Sequence, residues 1–346
     1  MNNTVAFPGL GIGDFQVDNV AFRIGNFPIY WYGIIITCGI FFAFLYATFR
    51  GKYENVKLDD ILDIGIWTVI LGVVGARLYY VLTSLESFIP DPFDFVQFIK
   101  NVFNLRGGGL AIYGGIIGGI LGIIIVTRVK RMNTLKLFDM IGPGVMIAQA
   151  LGRWGNFFNG EAFGGLVHQD SPLYFLRMGL ISSNTVSDFN TYNMVYVHPT
   201  FLYESLWNVT GFILINIFYK KKKFNGQMAC MYLSWYGFGR MFIESLRTDS
   251  LYVGPFRISQ VVGLLCFVVF GGLLVWGLIY SKKLEKDTAP EGITRILKPT
   301  LVEKPVFFEK KEKKSGETVK PEEKTGDETE TVPEEKIDDE SIGKEE

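Results

Sequence analysis

Long apolar segments recur along this chain of 346 residues, and they constrain its fold more than any other feature. A helix that crosses a bilayer needs about 20 predominantly apolar residues. Hydrocarbon offers no partners for backbone N–H and C=O groups, so such segments fold as helices. The sequence therefore predicts an all-α, polytopic membrane helix bundle of about seven transmembrane helices, at residues 29–49, 60–83, 108–128, 135–151, 201–219, 228–246 and 258–280.

Two of these spans are atypical. The fourth is short and contains Pro143 between Gly142 and Gly144, which predicts a kink or a break in the helix. The sixth contains Arg240 and Glu244, which lower its hydropathy. Six and eight spans therefore remain alternatives to seven.

Basic residues indicate the orientation of the bundle, because cytoplasmic loops of membrane proteins carry an excess of Lys and Arg. Seven spans place all four basic clusters of the chain on one side of the membrane. The N-terminus is then outside and the C-terminus is cytoplasmic. The clusters are Arg50, Lys52 and Lys57; Arg128, Lys130, Arg131 and Lys136; Lys220 to Lys223; and Lys282, Lys283 and Lys286.

This orientation divides the chain into parts. Residues 1–28 form an extracytoplasmic N-terminal segment, and residues 29–283 form a seven-span membrane domain. Residues 152–200 are the longest loop between spans, and we expect them to fold as a small extracytoplasmic head. Residues 284–346 are rich in Lys, Glu and Asp and cannot bury enough apolar area to offset chain entropy, which predicts a disordered, charged cytoplasmic tail.

The outer loop at residues 84–107 alternates Phe and Ile with polar residues. This pattern predicts an amphipathic element lying in the membrane interface, with an ordinary structured loop as the alternative. The net charge of −1 predicts neither nucleic-acid binding nor an acidic partner. Its three cysteines lie inside apolar segments, at no disulfide or metal-ligand spacing.

A dense polar run, Gly152 to Glu161, directly follows the fourth span and contains Arg153, Asn156 and Asn159. A charge at the bilayer centre costs roughly 2.5–3.5 kcal/mol on insertion scales. The cost is lower near a helix end, but a polar cluster of this density still requires an explanation. We interpret it as a site for an anionic substrate.

Further charged residues lie inside or beside the spans. Arg77 is in the outer half of the second span, and Glu204 is near the start of the fifth. A guanidinium group matches two phosphate oxygens at once, so converging arginines predict a phosphate ester as ligand. A structural ion pair and snorkelling to lipid headgroups are the alternatives. Four residues after position 235 share one helical face at spacings of four, four and three: Tyr236, Arg240, Glu244 and Arg247.

Four blocks of this sequence resemble the bacterial phosphatidylglycerol–prolipoprotein diacylglyceryl transferase family, in family order and over roughly residues 25–280. The longest block is Gly152-Arg153-x-Gly155-Asn156-Phe157-x-Asn159-Gly160-Glu161-x-x-Gly164. The others are His198-Pro199 with Tyr203-Glu204, Tyr236-Gly237-x-x-Arg240-x-x-x-Glu244-x-x-Arg247, and the glycine-rich segment around Tyr113.

The resemblance implies an enzyme of the bacterial cytoplasmic (inner) membrane with its active site toward the outer leaflet. Such an enzyme transfers the diacylglyceryl group of phosphatidylglycerol to the lipobox cysteine in the signal peptide of a prolipoprotein. A thioether forms and glycerol phosphate is released. The resemblance also implies membrane lipid as a partner, no nucleic acid, no metal and no organic cofactor.

The resemblance further implies roles for individual residues. Arg153 and Arg240 are expected to stabilise charge on the departing phosphate, with Arg247 in support. Glu161 and Glu244 are expected to orient arginines or substrate hydroxyls. The remaining predicted contacts to phosphatidylglycerol are made by Asn156, Asn159, Gly164, Tyr32, Arg77 and Glu204.

Tyr113 occupies a position where some relatives carry histidine and others tyrosine. A phenol of pKa near 10 is a poor general base for a thiol. Tyr113 is therefore expected either to position lipid or to polarise the thiol, while the arginines lower the pKa of the thiol itself. A lipid transporter, a metal-dependent phosphatidyl transferase and a non-catalytic scaffold are the rival functions. Intramembrane charge concentrated toward the outside favours an enzyme over a transporter.

Overall fold

The computed structural model describes residues 3–104 and 108–286, so nearly all of the predicted tail lies outside the described residues. The described chain is mostly helical. Its longer helices pack side by side, with α2 against α4, α1 against α5, α5 against α7 and α8 against α9. The helices are α1 (Trp31–Tyr53), α2 (Leu58–Thr83), α3 (Phe95–Phe103), α4 (Ile112–Val129), α5 (Thr134–Asn159), α6 (Ser183–Phe189), α7 (Thr200–Tyr219), α8 (Gln227–Ile243) and α9 (Ile258–Lys286).

Five of the described helices are long and apolar enough to cross a membrane: α1, α2, α4, α7 and α9. They coincide with the predicted first, second, third, fifth and seventh spans. The predicted fourth and sixth spans correspond to α5 and α8, which carry the polar residues of the site and pack within the same bundle. A mostly helical membrane protein is thus confirmed, while the number of spans and their orientation remain predictions.

Helix α5 continues through Pro143, so the predicted break at this proline does not occur. Pro143 and both flanking glycines are buried. The backbone of Gly142 lies against Tyr232, and that of Gly144 lies against Ala43, so packing on both sides holds the helix together across the proline. The helix also runs on to Asn159, well past Leu151, where the fourth span was predicted to end.

Close contact between α2 and α4 depends on glycine. A Cβ atom on Gly75 would collide with the backbone of Gly114, and one on Gly114 with the backbone of Gly75. Small residues let two helix backbones approach in a lipid environment, where packing rather than water exclusion drives association. Several large apolar side chains of these helices remain exposed on the outer surface of the bundle, including Ile66, Val74, Ile112 and Ile117.

The described residues also form a small β layer, which corrects the prediction of an all-α chain. Strand order in its main sheet is β2-β1-β5-β6, and all pairings are antiparallel. Val5, Leu180, Val197 and Phe201 form its buried core. These strands are too short to show a clear period in the sequence. The strands are β1 (Asn3–Phe7), β2 (Ile12–Val17), β3 (Val20–Ile24), β4 (Phe27–Tyr30), β5 (Met178–Ile181), β6 (Val195–Val197), β7 (Tyr252–Val253) and β8 (Phe256–Arg257).

Candidate active site

A single carboxylate, that of Glu204, joins three arginines at one end of the bundle. Glu204 lies in the second turn of α7 and is 4% exposed. Its Oε2 is 2.6 Å from Nη2 of Arg153, on α5. Its Oε1 is 3.0 Å from Nη1 of Arg240, on α8, and 3.5 Å from Nη1 of Arg247, which follows α8. We call these four residues, together with Glu244, the arginine cluster.

The second acid of the cluster, Glu244, sits one helical turn after Arg240. Its Oε2 is 2.6 Å from Nη2 of Arg240, which is the pairing that the four-residue spacing predicts. Glu244 begins a 3₁₀ turn, and this turn directs Arg247 back toward Glu204. Two buried carboxylates thus face three guanidinium groups. The third acid, Asp249, pairs with Arg247 from the exposed side, with 45% of its side chain exposed.

The polar run after Leu151 forms the last two turns of α5 rather than a loop. Asn156 and Asn159 each donate a hydrogen bond from Nδ2 to Oε1 of Glu161, at 3.0 and 3.1 Å. Nη1 of Arg153 reaches Oδ1 of Asn156 at 3.5 Å, which connects this group to the arginine cluster. Gly160 ends the helix at a φ of 62°, a left-handed conformation that favours glycine.

Gly164 contributes to the site through its backbone. Its N–H donates to the carbonyl of His198 at 2.9 Å, and it forms an antiparallel bridge with Arg247. A Cβ atom at this position would lie 2.7 Å from Cβ of His198. Glycine is therefore required here for the chain to pass close to Arg247, and Gly164 has no side chain with which to contact lipid.

A large cavity of about 1170 Å³ adjoins the polar run. Its lining includes Tyr32, Asn159 and Glu161, together with Phe27 and its neighbours on β4. The ring of Tyr32 also lies against Gly155, where a Cβ atom would come within 2.7 Å of Cδ2. The structure thus brings Tyr32 next to the polar end of α5. This position is compatible with the prediction that Tyr32 and Asn159 belong to one site.

Arg77 belongs to a different set of contacts. Its guanidinium donates five hydrogen bonds to backbone carbonyls. No described contact joins it to the arginine cluster. Its donors are occupied by the chain itself, so the geometry favours a structural role over a contact with phosphate. The carbonyls belong to Asn101, Val102, Asn104, Gly108 and Gly109.

Tyr113 likewise stands apart from the arginines among the described contacts. It is the second residue of α4 and is half-buried. Its ring centroid lies 6.4 Å from that of Tyr79, on α2. The two rings form an aromatic surface near the glycine contact between α2 and α4.

Two residues near the cluster were missed by sequence reasoning. Asp249 binds Arg247 with two hydrogen bonds of 2.9 and 2.7 Å, and its position two residues later was an available signal. Arg257 donates to the backbone carbonyl of Glu244, a contact between distant positions that leaves no local pattern in the sequence.

His198 lies beside the cluster, and its described hydrogen bonds are to the backbone and to Tyr203 rather than to the arginines. Its carbonyl accepts from Gly164, and its Nδ1 is 3.3 Å from the hydroxyl of Tyr203. Burial lowers the pKa of His198 below its ordinary value, and the charge of His168 acts in the same direction. The imidazole is therefore neutral at neutral pH and adds no positive charge to the arginines.

Fold and site together define a multi-pass membrane protein with a buried cluster of arginines and carboxylates where α5, α7 and α8 meet. Residues 19–276 match the family model for prolipoprotein diacylglyceryl transferase. The chain belongs to the prolipoprotein diacylglyceryl transferase family, which confirms the resemblance of the sequence blocks.

Curated relatives carry the same family's name. A phosphatidylglycerol–prolipoprotein diacylglyceryl transferase of Clostridioides difficile is 41% identical over 275 residues, which cover 80% of this chain and 100% of the relative. The protein of that name from Bacillus cytotoxicus is 40% identical, over 77% of this chain and 91% of the relative. That from Enterococcus faecalis is 41% identical, over 73% of this chain and 88% of the relative.

Proposed function

We propose that the arginine cluster is the phosphate site of a phosphatidylglycerol–prolipoprotein diacylglyceryl transferase. The enzyme moves the diacylglyceryl group of phosphatidylglycerol to a prolipoprotein, the first step of lipoprotein maturation. The observation that carries the assignment is the convergence of Arg153, Arg240 and Arg247 on one buried carboxylate. Asn156 contacts both Arg153 and Glu161, and Glu161 lines the cavity of about 1170 Å³. The acceptor is the thiol of the lipobox cysteine in the prolipoprotein signal peptide.

The reaction displaces a phosphate ester from carbon. The cysteine sulfur attacks the glycerol carbon that bears the phosphate oxygen, and a C–S bond forms as the C–O bond breaks. The electron pair of the broken bond leaves on the oxygen of glycerol phosphate, and the proton of the thiol is released to solvent, so the products are the thioether, glycerol phosphate and one proton. Because the thiolate is the nucleophile, a pKa near 8.5 for a free cysteine makes positive charge near the sulfur useful.

The arginine cluster suits this step because its charges are held in place before the substrate arrives. Fixed donors aimed at developing charge lower a barrier without any reorganisation at the moment of reaction. Arg153 and Arg240 stabilise the departing phosphate, and Arg247 supports them. Glu204 and Glu244 orient the guanidinium groups from the buried side, and Asp249 pairs with Arg247 from the exposed side.

The amide group at the end of α5 serves the glycerol part of the lipid. Glu161 binds one N–H from each of Asn156 and Asn159, so it fixes both amides with a second N–H free to donate. Asn159 and Glu161 face the cavity together with Tyr32. Tyr113 is assigned to positioning lipid, since its half-buried ring lies near that of Tyr79 and forms an aromatic surface at the start of α4.

The membrane arrangement follows from charge and helix order. We place α5 and α8 as the fourth and sixth of seven spans, with the N-terminus and the head outside and the tail in the cytoplasm. The basic clusters then face the cytoplasm. In this arrangement the arginine cluster lies toward the outer leaflet of the bacterial cytoplasmic membrane. Helix α3, with exposed Phe95 and Phe103, lies in the outer interface.

The test is transfer to a peptide by the purified protein. Full-length protein in detergent is incubated with phosphatidylglycerol and a lipobox peptide, and mass spectrometry detects a diacylglyceryl adduct on the cysteine. We expect Arg153→Ala and Arg240→Ala to lower the rate at least 100-fold, on the order of the loss from removing one oxyanion donor.

The matched control is Arg23→Ala, which removes an exposed arginine from β3 and should retain the wild-type rate. A well-folded wild-type protein that forms no adduct would contradict the transferase assignment and would favour lipid transport. An adduct that persists in both variants would contradict the assignment of the phosphate site alone.

A further inference from the structure

A second buried ion cluster lies on the same helices, away from the arginine cluster. Nζ of Lys222 is 3.1 Å from Oδ2 of Asp139 and 3.0 Å from Oε1 of Glu54. The side chain of Lys222 is 2% exposed and that of Asp139 is 0% exposed. Tyr219 donates its hydroxyl hydrogen to the same oxygen of Glu54 at 3.0 Å, and Lys136 pairs with the other oxygen. We call these five residues the Asp139 cluster.

Asp139 also holds the beginning of α8. Its Oδ2 accepts from the backbone N–H of Gly226 at 2.7 Å, and its Oδ1 accepts from that of Ala229 at 2.9 Å. The first N–H groups of a helix have no partner within the helix. The N-cap residue of α8 is Gly226, which has no side chain to satisfy them. A carboxylate on α5 therefore caps α8.

The two clusters connect the same three helices at two levels. Arg153 follows Asp139 by 14 residues on α5, and Arg240 follows Gly226 by 14 residues on α8. Tyr219, at the end of α7, follows Glu204 by 15 residues. At about 1.5 Å per residue, the separation is about 21 Å on α5 and α8 and about 22.5 Å on α7. Because these distances along the helix axes are similar, fixing the axial position of a helix at one cluster also fixes the position of its residue in the other cluster.

We infer that Asp139 is a positioning residue for the transfer reaction. By capping α8 from α5, it sets the axial position of α8 and thereby the separation of Arg240 from Arg153 across Glu204. Sliding α8 by one residue, about 1.5 Å, would take Arg240 out of its 3.0 Å contact with Glu204. The inference rests on the proposed role of the arginine cluster.

A purely stabilising ion cluster is the competing explanation, since breaking a buried ion pair destabilises a fold. The two explanations differ in kinetics. Loss of stability alone leaves the folded enzyme with its normal turnover. A displaced Arg240 lowers kcat more than it changes KM for phosphatidylglycerol, because the contact is needed in the transition state. A shift on the scale of 1 Å can cost about 100-fold in rate.

The experiment uses Asp139→Asn in the full-length protein, assayed at a temperature where thermal scanning shows the variant folded. We expect kcat to fall by about 10- to 100-fold, with KM for phosphatidylglycerol within about threefold of wild type. If this variant is not recovered folded, Asp139→Asn is combined with Lys222→Met, which removes the ammonium that has lost one of its two carboxylate partners. The control is Lys130→Met, which breaks the ion bridge from α4 to Asp60 and Asp63 on α2 and should leave kcat unchanged.

A double-mutant cycle with Arg240→Lys separates positioning from independent effects. Sites about 21 Å apart normally contribute additively. If Asp139 acts through the placement of Arg240, Asp139→Asn should cost less than about threefold in the Arg240→Lys background. A folded variant with wild-type kcat, or losses that simply multiply, would overturn the inference. Full activity of Arg240→Lys alone would instead count against the proposed phosphate site.

Discussion

The carboxylate of Glu204 allows the guanidinium groups of three arginines to lie close together. Two like charges about 4 Å apart repel by about 4 kcal/mol at an effective dielectric constant of 20, so guanidinium groups converge only where acids lie between them. Oε1 and Oε2 of Glu204 are both engaged, by Arg240 and Arg153 respectively. Sequence reasoning predicted converging arginines and an acid near them. That three arginines share the carboxylate of Glu204 depends on contacts between distant segments, which leave no local pattern.

We expect Glu204→Gln to lower kcat/KM at least 10-fold and to lower the melting temperature. The variant removes the shared charge while it retains the size of the side chain, and breaking a buried ion pair costs about 3–5 kcal/mol. Transfer assays and thermal scanning in detergent measure the two effects. Glu86→Gln, at an exposed acid after α2, is the control. Wild-type kcat/KM in Glu204→Gln would show that the arginines need no shared carboxylate.

The pair formed by Arg247 and Asp249 makes stability depend on pH. Partial burial acts to raise the pKa of Asp249, but the hydrogen bonds and charge of Arg247 outweigh it and hold that pKa below its ordinary value. A depressed folded-state pKa stabilises the fold above the unfolded value of about 3.9, and this contribution is lost as pH falls through the folded-state pKa.

Asp249→Asn should therefore melt below wild type at neutral pH, and the difference should shrink at pH values below about 4. Thermal scans across a pH series measure the difference. Asp170→Asn, at an exposed aspartate of the same outer region, should show no such trend. A difference that stays constant down to the lowest pH would mean that Asp249 does not contribute through its charge.

At the level of elements, local sequence patterns predicted the helices well, whereas contacts between distant positions could not be predicted. Apolar length located five of the helices, and the spacing of Arg240 and Glu244 predicted their pairing, because both signals lie within one segment. The main sheet pairs strands within residues 3–17 with strands within residues 178–197, so no local sequence pattern could predict it. The hydrogen-bond partners of Arg77 could not be predicted either, because they are backbone carbonyl groups, which occur at every residue.

The side chain of Arg77, on α2, holds the segment around α3 through hydrogen bonds to its backbone carbonyls. The variant Arg77→Lys keeps the positive charge but loses the planar fork that reaches five carbonyls. We expect amide hydrogen exchange across Phe95–Phe103 to accelerate at least 10-fold, because local opening becomes easier when few contacts hold a segment.

The control for this variant is Arg128→Lys, at an exposed arginine in the last turn of α4. It should leave exchange in α3 unchanged. Unaltered exchange in Arg77→Lys, together with a raised KM for phosphatidylglycerol, would instead support the original prediction that Arg77 binds the lipid.

At the scale of the whole molecule, the N-terminal strands and the region between α5 and α7 fold as one unit on the end of α5. Strand β1 lies between β2 and β5, and Nδ2 of Asn3 donates to the carbonyl of Phe158 at 2.9 Å. Ser182 and Asn184 donate to the carbonyl of Gly160. The predicted N-terminal segment, residues 1–28, therefore supports the helix that carries Arg153.

This joint unit requires the N-terminus and the region after α5 to share one side of the membrane. The predicted orientation places both outside, and labelling of single cysteines tests it. In a background where Cys38, Cys230 and Cys266 are replaced by alanine, Tyr192→Cys is at a residue that is 77% exposed in this outer region. We expect it to react with a membrane-impermeant maleimide in intact cells. Lys52→Cys, at the far end of α1, should react only after permeabilisation, and the reverse pattern would invert the topology and place the arginine cluster toward the cytoplasm.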